Sequence, residues 1–102
     1  MTFAVAFTAE AESDLIRLYD FLLDASDGDF ELAERALLAI REGVRFLERS
    51  PFSCRKALPN DPLLRELLIP FGAAGYVALF RIADAANVVI VAERHQREDD
   101  YR

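Results

Sequence analysis

Residues 88–92 read Val-Val-Ile-Val-Ala, a run with no polar side chain on either face of a strand. Such a strand belongs inside a sheet, covered on both faces or sheltered by a partner, so the chain must supply neighbouring strands and a layer to lie over them. Two strand-like runs precede it. Leu63–Ile69 (LLRELLI) is closed by Pro70, and Gly75–Ile82 (GYVALFRI) opens after FGAAG. The connection ADAAN is short enough to make the last two runs a hairpin. At the N-terminus a fourth run alternates, with Phe3, Val5 and Phe7 on one side, and stops at Thr8.

Between the first strand and the other three lie two helical patterns. Thr8 is suited to cap a helix, Glu10, Glu12 and Asp14 complement the positive end of its dipole, and Ala11, Leu15, Leu18 and Leu22 recur at helical spacing. This predicts a helix over about residues 9–24. DASDGD, around Gly28, interrupts it, and a second pattern begins near Asp29. Its stripes are Ala33, Leu37, Ile40, Val44 and Leu47, and beside them Leu32, Ala36, Ala39, Gly43 and Phe46. So wide an apolar face suits packing on both a helix and a sheet. Ser50-Pro51 ends it, and a loop with Pro51, Pro59 and Pro62 leads to the strands. The expected fold is α+β: an N-terminal strand, a helical hairpin and a three-stranded antiparallel meander, giving one mostly antiparallel sheet packed on two helices. The chain, residues 1–102, reads as a single domain without repeat or linker.

The hydrophobic fraction of 53% and charged fraction of 29% fit a folded domain and exclude a disordered one. Cys54 is the one cysteine, so no internal disulfide can form; it reads as a small core hydrophobe. No apolar run reaches the roughly 20 residues that span a bilayer, and no signal peptide is evident, so a cytoplasmic protein is expected. The net charge of −6 argues against unspecific attraction to nucleic acid. Charge is unevenly divided. Glu10–Glu34 carries nine acidic residues against Arg17, whereas Arg35–Arg65 carries seven basic residues against three acidic ones.

RELLIPFG, GYVALFRI and RHQREDDY, in that order, together with the N-terminal FTAEAESDLIRLYDFL and the LERSP closing the second helix, resemble the ParE branch of the RelE/ParE toxin superfamily over nearly the whole chain. The resemblance implies the toxin half of a type II toxin–antitoxin pair, partnered by an antitoxin whose tail folds on binding. It leaves two activities to weigh: ribosome-dependent cleavage of messenger RNA, as in RelE-like members, and inhibition of DNA gyrase, as in ParE-like members. A relative that keeps only antitoxin binding is the third alternative.

A metal-free ribonuclease must activate a ribose 2′-hydroxyl, stabilise charge on the phosphate and protonate the leaving oxygen, which requires several cations and a group of suitable pKa on one phosphate. Arg65, Arg81, Arg94, His95 and Tyr101 could partly supply that set. Against it, Gly75-Tyr76 stands where the nucleases tend to carry a basic residue, and the chain is acidic. Glu98, Asp99 and Asp100, being adjacent, cannot all turn toward one metal ion, and no metal or cofactor is expected. Of the activities the resemblance implies, the residues favour gyrase inhibition by contact, with Arg94, His95, Arg97 and Tyr101 in a target-binding tail. Leu32, Ala36 and Phe46 with the basic stripe Arg41, Arg45 and Arg49 are the candidates for antitoxin binding, arginine being suited to an acidic segment.

Overall fold

A computed structural model describes residues 2–96. The elements are β1 (Ala4–Phe7), α1 (Ala9–Ala25), α2 (Phe30–Arg49), a 3-10 turn (Pro51–Ser53), β2 (Arg55–Leu58), β3 (Asp61–Phe71), β4 (Ala74–Ile82) and β5 (Asn87–His95). They form one five-stranded sheet in the order β1-β5-β4-β3-β2. β1 runs parallel to β5, and the other pairings are antiparallel. The expected strand, helical hairpin and meander are all present.

The helix boundaries follow local chemistry. Thr8 is the N-cap of α1, its hydroxyl oxygen accepting a hydrogen bond from the Ala11 N–H at 3.1 Å. Asp27 and Gly28, both at positive φ, reverse the chain, and Asp29 caps α2 by accepting from the Leu32 N–H at 3.0 Å. α2 stops at Arg49, ahead of Pro51.

Both helices lie on the sheet face that carries Ile69, Tyr76, Ala78, Phe80, Ile82, Val88 and Ile90. One core cluster joins Phe3, Ala11, Leu47, Cys54, Phe80, Ile82, Val88 and Ile90; the other joins Leu18, Ala36, Ile40, Ile69, Tyr76 and Ala78. α2 passes close over β3 because Gly43 has no side chain, and a Cβ there would stand 2.9 Å from Ile69 Cδ1. Among the described residues no helix is long and apolar enough to cross a membrane.

One expectation is corrected and another is narrowed. The segment before β3 is not only loop: Arg55–Leu58 pairs with β3 through Arg55↔Glu66 and Lys56↔Arg65. Its sequence RKAL lacks the β-branched alternation that marks a strand, and an Arg55–Glu66 ion pair of 2.9 Å supports the pairing from outside the core. β5 does lie inside the sheet, but helices cover only one of its faces. Val88 and Ile90 are fully buried on the helix side, whereas Val89 and Val91 are half-buried.

Gly75 is the backbone position least able to change. Its φ is +143°, and a Cβ would collide with the Ile69 carbonyl oxygen across the hairpin. Gly75→Ala is expected to destabilise the fold by about 3 kcal/mol, a fall in Tm of roughly 12 °C or more. Gly28→Asn, where a Cβ meets nothing within 4 Å, tests the turn conformation alone and should shift Tm by only a few degrees, since Asn tolerates positive φ. Thermal melts followed by circular dichroism check both; equal falls would contradict this account of Gly75.

Candidate functional site

Three surfaces collect the residues with chemical potential: the two ends of the sheet's far strands and the groove beside α2. At the first, the nuclease candidates part company. Arg65 pairs with Phe80 across β3–β4, which puts its side chain on the helix side, and Arg81 pairs with Leu64, which puts it on the open face. Each has a structural task. The Arg65 guanidinium donates to the carbonyls of Pro62 (2.7 Å), Phe52 (3.0 Å) and Cys54 (2.8 Å) and stacks over the Phe52 ring, tying the turn after α2 to β3. Arg81 pairs with Asp61 at 2.8 Å, and that hydrogen bond holds the Asp61 carboxyl below its ordinary value. Burial pushes the neighbouring Cys54 thiol up, partly opposed by Arg65, which favours the inert protonated form.

The second surface is the end of β5. His95 lies on the helix side in register with Tyr76 and meets its ring edge-on at 5.7 Å; Arg94 falls on the open face opposite Val77. Tyr76 is core, 2% exposed, and burial raises its hydroxyl pKa. The Gln96 N–H donates to the Gly75 carbonyl at 2.8 Å, so the strand is held to its last described residue. Arg97, Tyr101 and the acidic run Glu98–Asp100 lie outside the described residues. Of the nuclease set, then, Arg65, Arg81 and His95 do not converge on one point.

The third surface was only half visible in the sequence. α2 turns Arg41, Arg45 and Arg49 to solvent together with Phe46, which is 44% exposed. Ala36, by contrast, is 3% exposed and sits in the core between α1 and the sheet, and Leu32 is half-buried. Beside Phe46 a groove of about 470 Å³ runs between α2 and β3, lined by Ala39, Glu42, Gly43 and Phe46 and by Leu67–Pro70. The groove meets an open strand edge. β2 covers β3 only as far as Glu66, so among the described residues the outer edge of Leu67–Phe71 has no strand beside it. Sequence reasoning missed this edge because it depends on where the unrecognised β2 ends.

An exposed strand edge next to an apolar, arginine-flanked groove is an arrangement that can hold another chain. The comparisons agree with that class. The family model described as "ParE toxin of type II toxin-antitoxin system, parDE" matches residues 5–100. The chain belongs to this ParE toxin family. Its fold is similar to a solved structure described as "Chromosomal ParDE TA system from P. aeruginosa", with a TM-score of 0.71 and 21% identity, covering 92% of this chain and 96% of that one. A search of curated protein sequences finds no match.

The structural role of Arg65 has a measurable consequence. Arg65→Met keeps much of the length but abandons three carbonyls, and should lower stability by about 1–3 kcal/mol. Denaturant unfolding checks it; an unchanged midpoint would return Arg65 to the pool of residues available for catalysis.

Proposed function

We propose that this chain is a toxin that stops DNA gyrase by protein–protein contact and is silenced by an antitoxin segment that folds onto the α2–β3 groove. The observation that carries the antitoxin half is the open edge of β3 at Leu67–Phe71 beside the groove under Phe46. An extended segment laid there satisfies the edge by β-augmentation, and its apolar side chains pack against Phe46 and Ala39 at the groove's mouth. Arg41, Arg45 and Arg49 stand on the adjoining helix face and select a segment rich in carboxylates. Phe46 and the three arginines remain in the proposed interface; Ala36 contributes from beneath, by fixing α2 on the sheet, and Leu32 marks the far end of the same helix.

The gyrase half is supported by family membership and by the separation of the nuclease candidates. Arg65 and Arg81, on opposite faces and both engaged, cannot act on a single phosphate without dismantling their own contacts. The end of β5 is the proposed target-binding surface, with Arg94 and His95 at its base and Arg97 and Tyr101 beyond the described residues. Such a protein works where gyrase works, in the cytoplasm.

Two measurements test the two halves. Purified gyrase with ATP should lose supercoiling activity and accumulate cleavage complexes on addition of the protein, and Arg94→Ala combined with Arg97→Ala should raise the concentration needed at least tenfold while leaving antitoxin affinity intact. Normal supercoiling at a large molar excess, or codon-phased messenger cleavage on translating ribosomes, would overturn the gyrase reading. For the groove, Phe46→Asp should weaken binding of the antitoxin encoded beside this gene by roughly 2 kcal/mol or more, about thirtyfold. Because Phe46 is exposed, the melting temperature of the free protein should barely move. An affinity equal to that of the unmodified chain would remove Phe46 from the interface.

A further inference from the structure

Among the described residues Glu93 is the one charged side chain that is fully buried. Simple alternation along β5 would send it to the open face with Val89 and Val91. The register skips at Val91, with Ile90 opposite Phe80 and Ala92 opposite Leu79, and this bulge turns Glu93 inward against Ala78, beneath α1. There the backbone is joined to the helix at two points: the Glu93 N–H donates to Asp14 Oδ2 at 3.0 Å, and the Arg17 guanidinium donates to the Glu93 carbonyl at 3.4 Å. Neither oxygen of the Glu93 carboxyl has a hydrogen-bond partner among the described residues. The titratable and charged groups on the packed elements around it are Asp14 and Arg17 on α1, Tyr76 on β4 and His95 on β5; α2 contributes the apolar Ala36 and Ile40 to this region.

A carboxylate so placed has lost its water and gained nothing in exchange, whereas the neutral acid is tolerated. We propose that Glu93 makes the α1–β5 seam a proton-controlled latch: the neutral acid keeps α1 on the sheet, and release of its proton to solvent favours a state in which α1 has lifted and the carboxylate is hydrated. The strand end that α1 covers is the one from which the proposed target-binding tail departs, so the latch governs how firmly that surface is held.

Burial, and after it the like charge of Asp14, push the Glu93 carboxyl from its ordinary 4.5 up to about 8. Below pH 4.5 the closed and the lifted states both hold the proton, and the latch has its full strength. Between there and about pH 8 only the closed state holds it, so each pH unit favours the lifted state about tenfold. Above that range neither state holds it and the dependence ends.

The test uses the full chain, recording the Glu93 carboxyl ¹³C shift and the α1 amide exchange rates, corrected for intrinsic chemistry, from about pH 4 to 10. The carboxyl should titrate far above an ordinary glutamate, and α1 protection should fall by about tenfold per unit up to its midpoint. Glu93→Gln should abolish that slope. Asp14→Asn keeps the acceptor for the Glu93 N–H and removes the like charge, so the carboxyl midpoint should move down. An ordinary titration of the unmodified chain, an α1 protection that does not follow the carboxyl, or an unaltered slope in Glu93→Gln would each overturn the latch; the first two need no variant to fold.

Discussion

The insertion of β5 between β1 and β4 is the constraint on which the molecule depends. It pairs in parallel with the first strand of the chain and antiparallel with the strand before it, so residues separated by most of the sequence become neighbours. Val88 and Ile90 have no exposed surface, and each helix reaches the core by packing against this region of the sheet. Fully burying two such side chains contributes about 3–6 kcal/mol, a large fraction of what holds a domain of this size together. A single bulge at Val91 then resets the strand, directing Glu93 inward and Arg94 outward. Core, buried acid and outward-facing arginine are consequences of one strand's pairing.

That strand also shows how far sequence could be read. Val88–Ala92 declared an interior strand because no polar residue interrupts it, and the helices declared themselves through Thr8, Asp29 and their apolar spacing. What alternation could not reveal was the bulge, since Val91 looks like any other residue of the run. The burial of Glu93 therefore could not be read from the sequence. β2 was invisible for a different reason: Arg55–Leu58 has no strand pattern and is held by Arg55–Glu66 and by Arg65 gripping the carbonyls before it. The nuclease candidates were legible as residue types, but their separation onto opposite faces follows from the β3–β4 register. Ala36 was drawn from an apolar stripe whose inner part turned out to be core; Phe46, from the same stripe, stands at the groove.

The proposed antitoxin binding rests on the geometry of the groove between α2 and β3. Short side chains at Ala39 and Gly43 bring α2 close to β3 and leave a trough beside an uncovered strand edge. An edge of this kind is a liability in a protein that works alone, where it invites association with other copies. In a protein held by a partner until needed, the same edge supplies backbone hydrogen bonds at no cost in side-chain ordering, while the neighbouring apolar wall and arginines discriminate among segments. Pro70 lies in this stretch and limits the edge to a short pairing, which suits a defined segment better than indefinite strand addition.

The most direct measurement is amide hydrogen exchange across β3 in the free protein and in its complex with the antitoxin. The outward-facing amides within Leu67–Phe71 should exchange readily in the free chain and become strongly protected in the complex, with α2 amides near Phe46 following more weakly. Protection confined to other strands, with Leu67–Phe71 exchanging as fast in the complex as in the free protein, would contradict the proposed antitoxin binding.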